Sequence, residues 1–362
     1  MSAVLSEAIP LRQRIDAPTT AVVLLGTGVV GGAFLKLFDA PAAASLQLVG
    51  AANSRYQTVA PERLADRRLR DRLAEDGDAR LDAALLDVLD RRAERRVIVD
   101  ATASDEIAAR HAVWLRAGYH VVTANKAAIG GPWAGWQAVA DARHVSGAGY
   151  GDSAAVGAGL PAIATARRLH ACGDRVERIE GVFSGSLSWL FSRYDGTQPF
   201  SALLAEARQH GYTEPDPRAD LSGADVARKL VILARSAGHA LRAQSVTVNN
   251  LVPEALRELP LAEFLARATE LDPVIAALHA AAAEQGGVLR HVARFDADGG
   301  AEVGLRVVSR EHPAAHLAGT DNLFAFSSTR YNRQPLVIRG PGAGAEVTAQ
   351  ALLGDVLALA GS

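Results

Sequence analysis

Residues 21–25 (AVVLL) form an uninterrupted apolar run that ends in Gly26-Thr27-Gly28-Val29-Val30-Gly31-Gly32. Such a run has no wet face, so it fits a strand buried on both sides of a parallel sheet. Gly26, Gly28 and Gly31 then carry the G-x-G-x-x-G spacing. The first glycine permits a tight turn, the second lets backbone approach a pyrophosphate, and the third lets a helix pack close to the strand. Residues 33–38 (AFLKLF) read as that helix and residues 46–51 (LQLVGA) as a second strand. In a strand–turn–helix–strand unit the glycine spacing signals dinucleotide binding. Gly26, Gly28, Val29, Val30 and Gly31 would face the phosphates, with free helix N–H groups beside them.

An acid that grips the ribose 2′-hydroxyl is expected about 20 residues on, at the end of the second strand. The chain has Asn53-Ser54-Arg55 there. With no carboxylate to repel a 2′-phosphate and Arg55 to pair with it, NADP(H) is favoured over NAD(H). The other reading of Arg55 is a solvated loop residue.

The strand–helix alternation continues. Residues 61–96 read as solvated helices, with Leu81, Leu85, Leu86 and Leu89 at helical spacing and acids interleaved with the arginines. Residues 97–99 (VIV) are a third strand ending at Asp100-Ala101-Thr102, residues 107–116 a helix, and residues 120–123 a fourth strand. Alternation of this kind predicts right-handed crossovers and an α/β, Rossmann-type doubly wound parallel sheet over residues 19–150. Past residue 150 the pattern becomes α+β: strands at 179–183 and 289–295, helices at 201–210 and 223–237. A second domain over 151–334 is expected. The GPGAG stretch at 340–344 opens a last helix predicted to return to the first domain, so that 335–362 completes it. Residues 1–18 are expected to be a mobile leader.

At roughly 150 residues per domain, 362 residues suit two domains. A net charge of -2 gives no field that favours nucleic acid or an anionic membrane. No apolar run approaches the roughly 20 residues of a membrane span, and the N-terminus does not read as a signal peptide. The single cysteine, Cys172, cannot form an intrachain disulfide and fits a reducing cytoplasm. It reads as a structural thiol, since a thioester-forming nucleophile needs an activating neighbourhood that His170 alone does not supply. The histidines show no zinc spacing.

The chemistry concentrates in residues 211–238, GYTEPDPRADLSGADVARKLVILARSAG. Glu214, Asp216 and Asp220 fall in a loop stiffened by two prolines. Ser222 is placed to cap the helix that follows. Asp225 and Lys229, four residues apart, share a helix face beside the apolar stripe of Val226, Leu230 and Leu233. Reducing an aldehyde needs a hydride on carbon and a proton on oxygen. An amine at an apolar wall is a usable proton donor and acceptor, and a neighbouring carboxylate orients it. Glu214 and Asp220 suit a substrate amino group. The bland alternative is a capped helix with a surface ion pair.

The string GYTEPDPRADLSGADVARK closely resembles the signature of homoserine dehydrogenases. So do residues 156–161 (VGAGLP), 184–188 (SGSLS), 123–126 (TANK) and 340–344 (GPGAG), in family order. The similarity runs from about residue 21 to the C-terminus and is strongest to the dehydrogenase half of bifunctional aspartokinase–homoserine dehydrogenases. It implies an NAD(P)-dependent oxidoreductase that interconverts L-aspartate 4-semialdehyde and L-homoserine in threonine, methionine and isoleucine biosynthesis. It implies that Lys229 is the catalytic proton donor, with Lys126 and Asp225 assisting, and that Glu214 and Asp220 bind the amino acid. Backbone donors around Ser184, Gly185 and Ser186 suit its carboxylate. By the same resemblance Thr102, Ser104, Lys126 and Gly342 contact the cofactor, beside Asn53, Ser54 and Arg55. The carbonyls of Val156, Ala158 and Leu160 would hold a sodium ion. The second domain becomes a substrate-binding and dimerisation domain, so a homodimer is expected.

Three positions depart from the family pattern: Ala219 replaces an acid, Ser153 replaces an acid before the metal-binding turn, and Ala124 replaces a proline. The resemblance leaves no room for a kinase domain and shows no added regulatory module, so threonine feedback is not expected. Two competing functions stand beside it. One is a paralogue acting on another amino-aldehyde, for which Ala219 leaves room. The other is a non-catalytic NADP(H)-binding sensor, which would be expected to have lost Lys229 or its acids.

Overall fold

The computed structural model describes residues 20–38, 40–60, 69, 73, 78–80, 82–91 and 94–361. The expected leader and most of the predicted helical region at 61–81, Leu81 included, lie outside these residues. The chain is a mixed α/β protein with a Rossmann-type sheet and a second sheet domain.

The first sheet has seven strands in the order β4-β3-β2-β1-β5-β6-β7. These are β1 (Thr20–Leu25), β2 (Leu46–Ala52), β3 (Tyr56–Val59), β4 (Asp78–Ala79), β5 (Arg95–Asp100), β6 (His120–Thr123) and β7 (Tyr150–Gly151). β2, β1, β5, β6 and β7 are parallel. Successive side chains of a strand point to opposite faces, and in β1 both faces are covered. Val22 and Leu24 pack with Phe34 of the helix Val29–Leu37 and with Leu352, Leu353 and Val356 of the C-terminal helix Ala345–Gly361. Val23 and Leu25 pack with Leu85, Leu89 and Ile107 on the other face. Two features differ from the sequence reading. β3 folds back antiparallel on β2 and β4 on β3. The helix read at 107–116 is two helices, Asp105–Ala109 and His111–Arg116, because the Arg110 N–H bonds back only three residues, to Ile107 O at 3.0 Å.

After β7 the chain enters the second sheet, of order β13-β12-β8-β10-β11-β9. It comprises β8 (Val176–Val182), β9 (Val246–Val248), β10 (Val288–Asp296), β11 (Gly300–Val308), β12 (Asp321–Ser328) and β13 (Leu336–Pro341). One face holds Ile179, Phe183, Ala293, Phe324 and Phe326, with the Phe183 and Phe324 rings stacked at 4.7 Å. The helices Gly185–Arg193, Ala224–Ser236 and Asp272–Glu284 contribute to the same core. Charged pairs line the sheet elsewhere: Arg178 and Arg294 both contact Asp296 at 2.6 Å. β13 then leads into the helix Ala345–Gly361, which closes the first sheet.

His291 of β10 is 1% exposed, and neither ring nitrogen has a hydrogen-bond partner. Burial pushes its pKa down to about 4. The folded chain therefore resists a proton that the unfolded chain accepts near pH 6.5. The resulting penalty is absent above pH 6.5, grows as pH falls, and is complete near pH 4. Wild type should lose about 2 kcal/mol of stability between pH 7 and pH 5 that His291→Gln does not lose. Denaturant titrations of both proteins at the two pH values check this; equal losses would remove the assignment.

Candidate active site

Gly26 ends β1 at φ +93°, donating its N–H to Ala52 O at 2.8 Å. A β-carbon on Gly31 would stand 1.8 Å from Gly26 O, so the third glycine is what lets the turn close. A β-carbon on Gly28 would meet no atom within 4 Å: that side of the turn is open. Gly28 is the N-cap of the helix Val29–Leu37 and no side chain caps it, so its first N–H groups face the opening with Val29 and Val30.

Beside this turn lies a cleft of about 940 Å³, lined by Gly26, Asn53, Ser54, Arg55, Thr102 and Ser104 among others. Six of the twelve sequence-predicted cofactor positions therefore line it; Gly28, Val29, Val30 and Gly31 belong to the adjoining turn and, like Lys126 and Gly342, are not among its lining residues. Asn53 sets the β2–β3 turn, its Oδ1 accepting from the N–H groups of Arg55 and Tyr56 at 2.7 Å. Sequence reasoning missed Arg80 and Arg110, which line the same cleft and share Asp82. Arg80 also donates to Asn53 O at 3.3 Å.

A buried chain of polar groups holds Thr102. Asp100 accepts from the Thr102 N–H at 2.9 Å and Oγ1 at 2.6 Å, and its other oxygen meets His111 Nε2 at 3.0 Å. His111 Nδ1 meets the Tyr150 hydroxyl at 2.9 Å. Burial, then the nearby Asp152 and Asp100 charges, push the Tyr150 hydroxyl well above its ordinary pKa. It therefore stays protonated, with a proton available to donate to His111 Nδ1. Ser104 caps the next helix, its Oγ accepting from Ile107 N–H at 3.3 Å.

The second half of the site is the seam between the two sheets. Lys126, at the end of β6, is fixed through its neighbour: Asn125 donates to Ser104 O at 2.8 Å and accepts from Ala127 N–H at 3.0 Å. The Lys126 ammonium lies 3.3 Å from Asp225 Oδ1. The Lys229 ammonium lies 2.8 Å from Asp225 Oδ2 and donates to Phe183 O at 2.8 Å. One carboxylate thus bridges two lysines from different domains. Lys229 is 12% exposed and Lys126 27%, whereas Asp225 is 51% exposed, so the acid opens to solvent more than its two partners. Enclosure by protein opposes ionisation of Asp225, but the charges of Lys229 and Lys126 outweigh it and hold its carboxyl far below the usual range.

Asp220 sits in the short helix Arg218–Leu221, not in a loop. It accepts from Ser186 Oγ at 2.7 Å and from Glu214 N–H at 2.8 Å. Burial raises its pKa against those two bonds, and Glu214 and Asp225 add to the rise. Asp216 pairs instead with Arg218 at 2.6 Å, a structural role. The cap of the helix Ala224–Ser236 is Gly223, at φ +72°, not Ser222, whose Oγ accepts only from Ala224 N–H at 3.2 Å. Ser184 caps the helix Gly185–Arg193 by accepting from Leu187 N–H, so this N-terminus, Gly185 included, borders Phe183 and Asp220. Gly342 packs so closely on Asn322 that a β-carbon would stand 2.1 Å from its Cγ.

Ala158, at φ +52°, is the one non-glycine residue with positive φ among the described residues, in the Val156–Leu160 turn. Leu160 O accepts from Ala162 N–H at 2.8 Å. The departure at Ser153 is compensated from the C-terminal helix: Asp355 accepts from Ser153 N–H at 2.9 Å and Oγ at 2.8 Å. Cys172 is exposed at a helix end.

A glycine-turn cleft and a two-lysine seam are the parts a nicotinamide-dependent oxidoreductase needs. The homoserine dehydrogenase family model matches residues 161–357, and the family's NAD-binding domain model matches residues 26–150. The chain belongs to the homoserine dehydrogenase family. It is 42% identical over 282 residues to a homoserine dehydrogenase of Schizosaccharomyces pombe, covering 76% of this chain and 75% of that protein. It is 40% identical over 357 residues to a chloroplastic bifunctional aspartokinase/homoserine dehydrogenase of Zea mays. That match covers 96% of this chain and 39% of the maize protein, so the chain spans about two fifths of such bifunctional relatives. A crystal structure of a Candida auris protein of unknown function superposes with a TM-score of 0.87 at 34% identity, covering 95% of this chain and 99% of that one. Among the described residues no helix is long and apolar enough to cross a membrane.

Proposed function

We propose that this chain catalyses the reversible reduction of L-aspartate 4-semialdehyde to L-homoserine, with NADP(H) favoured over NAD(H). The observation that carries this reading is the pair of ammonium groups held by one carboxylate at the domain seam. When bound, the nicotinamide supplies or removes hydride at the substrate's C4. The chain handles the proton. An ammonium has three N–H groups. Phe183 O and Asp225 occupy two on Lys229, which leaves the third for the aldehyde oxygen. Lys229 gives that proton as charge develops on oxygen and recovers one in the reverse direction. Lys126 adds positive charge nearby, and Asp225 orients both amines. Glu214 and Asp220 suit the α-amino group, and the helix N-terminus at Ser184 and Gly185 suits the α-carboxylate. Thr102, Ser104, Lys126 and Gly342 are assigned to the cofactor.

Carbonyl oxygens are hard donors suited to alkali cations. The strained Ala158 turn supports a sodium ion held by the carbonyls of Val156, Ala158 and Leu160. We also expect a cytoplasmic homodimer formed through the second sheet. The test is oxidation of L-homoserine followed at the reduced-nicotinamide absorbance, with NADP⁺ and NAD⁺ in parallel. Absence of homoserine-dependent reduction with either nucleotide overturns the reading. Turnover of a different amino alcohol in its place would favour the paralogue.

Arg55 and Arg80 line the cleft, and we assign them to its ribose end. Because a guanidinium pairs with phosphate but not with a hydroxyl of like strength, Arg55→Ala should raise the Kd for NADPH by about tenfold while changing that for NADH by less than about twofold. Fluorescence titration of both nucleotides measures this. Equal losses would remove the 2′-phosphate argument.

A further inference from the structure

Besides Arg228 and Lys229, the helix Ala224–Ser236 carries Arg235, which faces the first domain. Arg235 is 4% exposed, and no carboxylate among the described residues pairs with it. Its guanidinium donates to three main-chain carbonyls: Ile129 at 2.7 Å, Gly131 at 2.9 Å and Leu241 at 3.0 Å. The indole rings of Trp133 and Trp136 lie 5.3 and 5.9 Å from it. Burying a charge without a counter-ion is unfavourable, and an apolar side chain would fill the same space more cheaply. What an apolar side chain cannot do is hold three carbonyls in a fixed fork.

Two of those carbonyls end the short helix Ala127–Gly130, whose N-cap is Lys126. That single turn is therefore a spacer, with Lys126 at one end and Arg235 at the other. Its last residue is pressed against the same partner helix: a β-carbon on Gly130 would stand 2.5 Å from Arg228 Cγ and 3.0 Å from Arg228 O. Asp225, Arg228, Ile232 and Arg235 follow the i, i+3, i+7, i+10 spacing of one helix face. Asp225 grips Lys126 at the start of this face, and Arg235 grips Ile129 and Gly131 ten residues, roughly 15 Å, further along.

We propose that Arg235 is a positioning residue: it fastens the Lys126 turn to the helix bearing Lys229 and so fixes the spacing between the two lysines. The inference rests on the proposed function for its kinetic readout only. Arg235→Lys keeps the charge but replaces the planar fork with one ammonium. It should lower kcat by about tenfold and leave the KM for the nucleotide within about twofold, with the thermal midpoint showing a folded protein at the assay temperature. Gly130→Ala, which strains the same seam without touching Arg235, should give the same selective loss of kcat. Independently of any activity, amide exchange at Gly130 and Gly131, whose N–H groups bond to Lys126 O and Ala127 O, should speed up at least tenfold in Arg235→Lys. Wild-type kcat in a folded Arg235→Lys enzyme overturns the proposal, as does unchanged exchange at those two amides. Absence of homoserine turnover in the wild type, with exchange in the variant accelerated, overturns the functional reading and leaves the positioning role standing.

Discussion

Lys229→Ala is expected to lower kcat by about 10² or more while nucleotide affinity stays within about threefold, because the deleted amine is the proton donor we propose and lines none of the nucleotide cleft. The side chain is 12% exposed and its nitrogen is held by Phe183 O and Asp225, so water has little room to stand in for it. The variant also leaves Asp225 with Lys126 as its one remaining cation, so the seam stays paired. Stopped-flow measurement of hydride transfer separates the chemical step from release. Wild-type turnover in this variant would refute the assigned role.

Asp225→Ala should be nearly as damaging, with kcat down by on the order of 10² through loss of a charge-assisted partner worth roughly 2–3 kcal/mol. The mechanism differs. Two ammonium groups that shared one carboxylate now repel each other across the seam, and Lys229 keeps only its bond to Phe183 O. Asp225→Asn keeps the shape and one acceptor, so it should recover part of the loss. Because Asp225 stays ionised far into acid, its own titration should contribute no limb to the kcat–pH profile of the wild type above pH 4. A limb at mild acid that disappears in Asp225→Asn would contradict this.

Much of the nucleotide half was legible because its signals are local. A buried strand, a glycine turn and Asn53-Ser54-Arg55 all lie within 40 residues, and the structure gathers them around one cleft. The strand alternation likewise foretold the parallel core. The antiparallel β3 and β4 were not legible, since four- and two-residue strands carry no usable periodicity. Asp225 and Lys229 were legible as an i,i+4 pair, but their bridge to Lys126 joins residues about a hundred positions apart and has no spacing signature. Asp100, His111 and Tyr150 form their buried chain for the same reason without a motif. Arg235 carried no signal in the sequence: a basic residue in the last turn of a helix ordinarily serves as a solvated partner of the helix dipole, and only packing shows that this one is enclosed. The cap residue was misassigned because Ser222 has the usual side chain, whereas Gly223 wins by adopting a left-handed backbone.

The return of the last helix to the first sheet has a mechanical consequence. The polypeptide passes between the two bodies twice, once after Gly151 and once after Pro341, and the second passage ends with Leu352, Leu353 and Val356 wedged against β1. Two separate tethers restrict the free swivelling that a single linker would allow. The Arg235 clasp spans the same seam, so the two amines would keep their register through any such movement.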